Sequence, residues 1–157
     1  MSADLSQPEE SRLSSLTSWN ADWTGLRVAV LGLSMTGFSV ADTLAELGAD
    51  VLVLSESAEE EYSRLLPVIG ARLELGSLQE VPAALRDFDA EVVIASPGFA
   101  PSHPIISWAQ GERIAIWGDI ELAWRVRDKV SRPDGTPADW VLITGTNGKT
   151  TTTQLTA

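Results

Sequence analysis

The sequence predicts an α/β fold built around a doubly wound, mostly parallel sheet. Short apolar runs alternate with amphipathic stretches from residue 26 to residue 130. The runs are apolar at nearly every position, which is typical of parallel strands that are buried on both faces. A glycine-containing turn follows the first run directly, as it does where a strand leads into a helix beneath a bound phosphate. Together these features indicate a Rossmann-like domain.

Each element has its own signal in the chain. The predicted strands are LRVAVLGL, ADVLVLS, ARLELG, AEVVIASPG and RIAIWG. The predicted helices are SVADTLAELG, SAEEEYSRLLPVI, PAALRDF, HPIISWAQG and DIELAWRVRDKV. The first of these helices places Val40, Leu44 and Leu47 on one face and stops at Gly48. Proline opens the fourth helix, where a missing N–H costs little, and an aspartate cap opens the fifth.

Composition changes divide the chain into four parts. Residues 1–19 are polar and are expected to form a disordered tail, in which LSSLTSW has the pattern of a short amphipathic turn. Residues 20–130 form the α/β domain. The proline- and glycine-containing residues 131–138 are expected to be a linker. Residues 139–157 begin with the strand-like run DWVLIT and are expected to open a second, truncated domain.

The overall charge and composition exclude several classes of protein. The formal net charge is −11, so binding to nucleic acid is not expected. No stretch approaches the roughly 20 apolar residues of a membrane span, and the N-terminus has no signal-peptide pattern. The chain contains no cysteine, which fits a reducing compartment. We therefore expect a cytoplasmic protein with no membrane partner. A monomeric state is a separate expectation.

The first glycine-rich turn, Gly32 to Gly37, has the spacing G-x-G-x-x-G, with Ser34 in the second glycine position. That glycine normally lets the backbone approach a pyrophosphate, so the turn is poorly suited to NAD. Glu56 ends the second strand, where an acid would hold a ribose hydroxyl. Residues 96–99 follow the fourth strand at the same sheet edge. These features indicate a nucleotide crevice, and a plain strand–helix turn is the alternative.

A second glycine-rich turn lies near the end of the sequence. It comprises Gly145, Thr146, Asn147, Gly148, Lys149, Thr150 and Thr151. Its glycines would let backbone N–H groups surround a phosphate, Lys149 would add a positive charge, and the Thr150 hydroxyl would bind Mg²⁺. The alternative is a glycine turn with an exposed lysine. Thr152 and Thr153 are expected to be packing or solvent positions.

Four segments, in order, resemble the Mur ligase family. GTNGKTT is similar to the shortened phosphate loop that these enzymes share with folylpolyglutamate synthetases. VLGLSMTGFSVADTLAELGA resembles the first glycine loop and helix of the D-glutamate-adding members. VVIASPGFAPSHPII and WGDIELAW resemble two further segments of that branch, the second of which separates it from its sibling ligases.

The resemblance implies an amino-terminal part of a three-domain, ATP-dependent enzyme of peptidoglycan precursor synthesis. The reaction would activate UDP-N-acetylmuramoyl-L-alanine as an acyl phosphate and join it to D-glutamate. Lys149 and Thr150 would be catalytic, and Thr150 would bind Mg²⁺ with ATP. The residues implied in binding the UDP substrate are Ser34, Met35, Thr36, Gly37, Ser55, Glu56, Gly98 and Phe99. ATP and Mg²⁺ would serve the full-length enzyme; none is expected on this chain alone, which should be inactive.

Other interpretations remain open at this stage. One is a sibling ligase such as a folylpolyglutamate synthetase, although that family places its phosphate loop near the start of the chain. Another is a non-enzymatic, NAD-binding domain. His103 is interpreted as a helix-start residue, although a catalytic role is an alternative. Asp119 and Glu121 are interpreted as first-turn charges, with a role at the substrate entrance as the alternative.

Overall fold

The computed structural model describes residues 12–156, and the predicted tail over residues 1–11 lies outside them. The strands are β1 (Arg27–Leu33), β2 (Asp50–Ala58), β3 (Arg72–Leu75), β4 (Val92–Ala95) and β5 (Ala115–Trp117). The labelled helices are α1 (Met35–Glu46), α2 (Glu60–Leu65), α3 (Ala83–Phe88), α4 (Pro104–Gly111), α5 (Asp119–Arg125) and α6 (Lys149–Thr156). Between residues 26 and 130 each predicted strand and helix is present, but α2 and α5 end at Leu65 and Arg125, several residues before their predicted ends.

The strands form one five-stranded sheet in the order β3-β2-β1-β4-β5. All neighbouring pairs are parallel. The predicted Rossmann-like α/β fold is therefore confirmed. Because β1 lies at the centre and the chain moves outward first on one side and then on the other, a crevice opens at the carboxyl ends of β1 and β4.

Successive strand residues point to opposite faces, and each face is covered by its own apolar cluster. Val28 and Val30 of β1 pack with α1, α5 and the segment that precedes β1. Ala29 and Leu31 pack with α3 and α4 on the other face. Since both faces are buried, the central strands β1 and β4 have no polar alternation, which explains their continuous apolar runs in the sequence. The edge strand β3, with its two charged residues exposed, does alternate.

The chain before β1 is packed onto the domain, which differs from the disordered tail expected up to residue 19. Residues 12–15 are helical, and Leu16 is fully buried. The Arg125 guanidinium donates hydrogen bonds to the carbonyl oxygens of Leu13 and Leu16, at 3.1 and 2.9 Å. Two leucines in a serine-rich stretch give little periodic signal, so the sequence alone did not reveal this contact.

The strand predicted at DWVLIT is wrong, because residues 139–144 adopt no regular structure. A strand needs a neighbour to pair its backbone N–H and C=O groups, and no described strand lies beside this segment. Its main ring contact is between Trp140 and Trp124, whose centroids lie 5.3 Å apart in an edge-to-face arrangement. Within residues 12–156, no helix combines the length and apolar character needed to cross a bilayer.

Asp128 joins the end of the domain to the chain before β1. The Ser18 hydroxyl donates to one carboxylate oxygen and the Trp19 backbone N–H donates to the other, 2.7 Å away. These two hydrogen bonds favour the ionised form and hold the pKa of Asp128 below its usual value. The carboxylate therefore ties two segments that are distant in sequence.

Replacing Asp128 with asparagine is expected to lower the free energy of unfolding by about 1 kcal/mol at pH 7, because a charge-assisted hydrogen bond is weakened at a partly exposed site. A lowered pKa in the folded state means that the carboxylate stabilises the protein above about pH 4 and loses this effect as the pH falls below that. Urea titrations of both proteins from pH 7 to pH 2.5 should show the difference shrinking toward zero. A difference that is independent of pH would contradict this assignment.

Candidate functional site

A cleft of about 440 Å³ opens at the carboxyl edge of the sheet, where parallel α/β sheets bind their ligands. Residues at or after the carboxyl ends of four strands line it: the ends of β1 and β2, and the loops after β3 and β4. Its lining residues are Gly32, Ser55, Glu56, Ser57, Leu78, Gln79, Gly98, Phe99, Ala100 and His103.

A larger cavity of about 970 Å³ lies at the opposite edge of the sheet. Arg27 and Ala115, which line it, are the first residues of β1 and β5. Three of its charged side chains are already paired, since Arg27 forms ion pairs with Asp89 and Glu91. We place the functional site in the smaller cleft because the strand carboxyl ends converge there, together with Gly32 near the end of β1 and Gly98 after β4.

The backbone at the end of β1 lies very close to the first turn of α1. Gly32 has a φ of +88°, which favours glycine. A Cβ atom placed on Gly37 would lie 2.0 Å from the carbonyl oxygen of Gly32. Ser34 is the N-cap of α1, and its hydroxyl accepts a hydrogen bond of 3.4 Å from the Gly37 N–H. The serine in the second glycine position thus starts the helix.

Ser55 and Glu56 fasten the neighbouring strand ends to one another. The Ser55 hydroxyl is buried, accepts from the Leu33 N–H at 3.1 Å and donates to the Ser57 carbonyl at 2.6 Å. One carboxylate oxygen of Glu56 accepts from the Leu78 N–H at 3.2 Å. Both side chains therefore hold the cleft in shape, and Glu56 keeps its second oxygen outside that hydrogen bond.

Aromatic rings form the wall of the cleft on the β4 side. The nearest ring carbon of Phe99 lies 3.3 Å from where a Cβ on Gly32 would be. The ring of His103 meets that of Phe99 edge to face, with centroids 5.1 Å apart. His103 is also the N-cap of α4, as its predicted position at the start of the helix implies.

Some of the residues predicted to bind the substrate line the cleft, and others lie outside it. Ser55, Glu56, Gly98 and Phe99 line it. Gly37 is buried beneath the turn, whereas Ser34, Met35 and Thr36 are exposed around the start of α1 and do not line the cleft. Sequence reasoning missed Leu78, Gln79 and Ala100, although the place of Leu78 and Gln79 after the third apolar run was an available signal.

Asp119 and Glu121, the predicted acidic pair of α5, make contacts that are common within a single helix. Gly118, and not the expected Asp119, is the N-cap of the helix. The Asp119 carboxylate accepts from the Ile120 N–H at 2.9 Å, and Glu121 pairs with Arg125 at 2.8 Å. Neither acid lies among the residues that line the cleft.

The second glycine-rich turn leads directly into α6. Gly148 has a φ of +75°, and the Lys149 ammonium donates to the Gly145 carbonyl at 2.6 Å. The Lys149 side chain therefore folds back across the loop to Gly145. Its glycines, lysine and helix start provide the donor groups that a phosphate needs.

The threonines of α6 fall into two groups. The hydroxyls of Thr152, Thr153 and Thr156 each donate to the carbonyl oxygen four residues earlier, at 3.0, 2.9 and 2.8 Å. Within the described part of the chain, no such bond involves the hydroxyl of Thr150 or Thr151. The two threonines nearest the turn are thus the ones whose hydroxyls are available to an anion or a metal ion.

The residues of this loop fit ATP better than they fit a complete magnesium site. Lys149 and the backbone N–H groups of the turn could donate to phosphate oxygens, and Thr150 could offer one hydroxyl oxygen to Mg²⁺. Among residues 12–156, no group of three or more acidic, histidine or cysteine side chains is positioned to hold a metal ion. Bound phosphates, water and other residues of a larger protein would have to complete the coordination.

The parallel sheet, the tight turn after β1 and the cleft at the carboxyl edge define a Rossmann-like domain, a class that binds nucleotides in this crevice. Residues 26–118 match the family described as "Mur ligase MurD-like, N-terminal domain". The chain belongs to this family.

Curated relatives extend the similarity beyond the matched domain. The chain is 58% identical over 151 residues to the UDP-N-acetylmuramoylalanine--D-glutamate ligase of Leifsonia xyli subsp. xyli, which covers 94% of this chain and 29% of that protein. It is 47% identical over 146 residues to the ligase of the same name from Tropheryma whipplei (strain Twist), covering 93% and 28%. The corresponding ligase of Streptomyces coelicolor is 35% identical over 140 residues, covering 87% and 28%. The chain thus spans under a third of the length of these relatives.

Proposed function

We propose that this chain supplies the UDP-substrate-binding domain, and the opening of the ATP-binding domain, of a ligase that adds D-glutamate to UDP-N-acetylmuramoyl-L-alanine. The observation that carries the proposal is the coincidence of the family match over residues 26–118 with a cleft built from the same segments. The similarity to a D-glutamate ligase covers 94% of this chain, so it extends past residue 118 and into the second glycine-rich turn, which supports ATP as the co-substrate.

The first domain offers two kinds of contact to a uridine diphosphate. The cleft presents the Phe99 ring as an apolar wall for the base, and the free oxygen of Glu56 as an acceptor for a hydroxyl or an N–H group. At the start of α1, Met35 and Thr36 leave backbone N–H groups outside the helical ladder, and the helix dipole favours an anion there. We assign the diphosphate to that helix start and the nucleoside to the cleft.

In the proposed reaction, a carboxylate oxygen of UDP-N-acetylmuramoyl-L-alanine takes the γ-phosphoryl group of ATP, and ADP leaves. The amine of D-glutamate then attacks the acyl phosphate, forming an amide and releasing inorganic phosphate. Lys149 would bind phosphate oxygens and offset the charge that develops on them. Thr150 would offer its hydroxyl to Mg²⁺, which shields the phosphates during transfer.

Three further features belong to the proposal. The protein acts as a monomer in the cytoplasm, where ATP is available. Ligation is proposed for the whole ligase, and this chain spans about 29% of the length of the Leifsonia xyli relative. We therefore propose that the 157-residue chain binds UDP without catalysing ligation.

Titration calorimetry with UDP tests the site directly. The chain is expected to bind UDP with a Kd of roughly 0.1–1 mM and to bind NADH much more weakly. Replacing Phe99 with alanine should weaken UDP binding at least about five-fold, because it removes the aromatic wall. Ile120→Ala, an exposed change on α5, is the control and should leave the Kd unchanged. If the folded chain binds NADH but not UDP, that result would favour the dinucleotide-binding alternative.

A further inference from the structure

The His103 side chain makes two separate contacts, one with the first turn of α4 and one with the loop that connects β4 to α4. Its Nδ1 accepts a hydrogen bond of 3.3 Å from the Ile105 N–H, which caps the helix. Its ring meets the Phe99 ring edge to face, at 5.1 Å between centroids and 85° between planes. Capping requires only an acceptor atom, and asparagine or serine serves that purpose more commonly. The ring contact needs an aromatic side chain.

The loop backbone brings these two rings together. The Phe99 N–H donates to the Ser96 carbonyl at 3.1 Å, and the His103 N–H donates to the Ala100 carbonyl at 2.9 Å. Two successive turns therefore place residues 99 and 103 on the same side of the loop. With Nδ1 held by the helix start, the orientation of the imidazole is fixed, so it gives the Phe99 ring a rigid neighbour.

The Phe99 ring also lies against Gly32. Its ring atoms occupy the space that a side chain at position 32 would need, at 3.3 and 3.6 Å from the position of a Cβ. Phe99 is thus in contact with both the Gly32 position and the His103 ring, and all three residues line the cleft. An aromatic side chain held in one rotamer loses less conformational freedom when a base packs against it.

We propose that His103 is a positioning residue whose imidazole holds Phe99 against Gly32, so that the aromatic wall of the cleft is in place before a uridine nucleotide binds. The inference rests on the proposed function, because it assumes that the cleft receives the nucleoside. It gives the histidine a role in binding that is separate from its role as a helix cap.

Two substitutions separate the two roles. His103→Asn keeps a good capping side chain and removes the ring, so it should leave the Tm nearly unchanged and raise the Kd for UDP about 3- to 10-fold. His103→Phe keeps a ring and removes the capping acceptor, so it should lower the Tm by about 2–4 °C while the Kd stays within about two-fold. A purely structural histidine would give the reverse pattern, in which UDP affinity follows the Tm.

The position of Phe99 can also be measured without a nucleotide. The chain has three phenylalanines, so 4-fluorophenylalanine labelling gives three ¹⁹F signals, and Phe99→Leu identifies the one from Phe99. This signal should shift and broaden in His103→Asn but not in the Ile120→Ala control. An unchanged Phe99 signal, or unchanged UDP affinity, in His103→Asn would overturn the inference. Failure of the unmodified chain to bind UDP would instead overturn the proposed autonomous UDP site, while the ¹⁹F result would still decide whether His103 positions Phe99.

Discussion

Gly37→Ala is expected to destabilise the protein by about 3 kcal/mol, the largest stability effect that we foresee for a single methyl group. The added Cβ would lie 2.0 Å from the Gly32 carbonyl oxygen and 3.1 Å from its carbonyl carbon. Both atoms belong to the backbone, so no side-chain rotation can relieve the clash. Helix α1 would have to move away from the end of β1, and the sheet would lose packing against Val40 and Leu44, which are both buried.

The matched control is the same substitution at another helical glycine. Gly111 is the last residue of α4, and a Cβ placed on it would have no heavy atom within 4 Å beyond its local backbone. Gly111→Ala should be neutral or should stabilise the protein by up to about 1 kcal/mol, because alanine restricts the unfolded chain. Urea denaturation followed by tryptophan fluorescence would compare the two variants. Similar stabilities would contradict the close contact between α1 and β1.

The sheet could be predicted because each buried strand is marked by its own run of consecutive apolar residues. A strand buried on both faces must be apolar throughout, so VAVL and VLVL mark β1 and β2 without knowledge of their neighbours. The close approach of α1 to β1 was equally visible as the spacing between Gly32 and Gly37. Strand order then follows from the preference of parallel α/β units for right-handed crossovers and a central first strand.

Features that depend on contacts between distant residues were not visible in the same way. The sequence marks Ser55 as a polar residue at a strand end, but it cannot show that its hydroxyl bonds to the Leu33 N–H, 22 positions away. The sequence favours a helix-start role for His103 and leaves a site role as the alternative. It cannot show that the ring contacts that of Phe99. The run DWVLIT has the composition of a strand, yet an apolar run forms a strand only where a partner supplies hydrogen bonds.

Lys149→Ala is expected to reduce the turnover of the full-length ligase at least about 10²- to 10³-fold, the loss typical when one charge-stabilising group is removed from a reacting centre. In the proposed reaction, Lys149 is the cation of the loop, and the surrounding protein is acidic, with a formal net charge of −11 on this chain. A local positive charge is therefore essential where phosphate oxygens gather. The assay is phosphate release that depends on both UDP-N-acetylmuramoyl-L-alanine and D-glutamate.

The hydrogen bonds of α6 provide a control within the same helix. Thr153→Val removes a hydroxyl that bonds to the Lys149 carbonyl, so activity should stay within about three-fold of the unmodified enzyme. Thr150→Val removes a hydroxyl that makes no such bond among the described residues, and it should reduce activity strongly and raise the Mg²⁺ concentration required. UDP binding should be unaffected in all three variants, because the cleft belongs to the first domain. Loss of activity in Thr153→Val equal to that in Thr150→Val would mean that these hydroxyls act through the stability of the helix, and the assignment of Thr150 to Mg²⁺ would then fail.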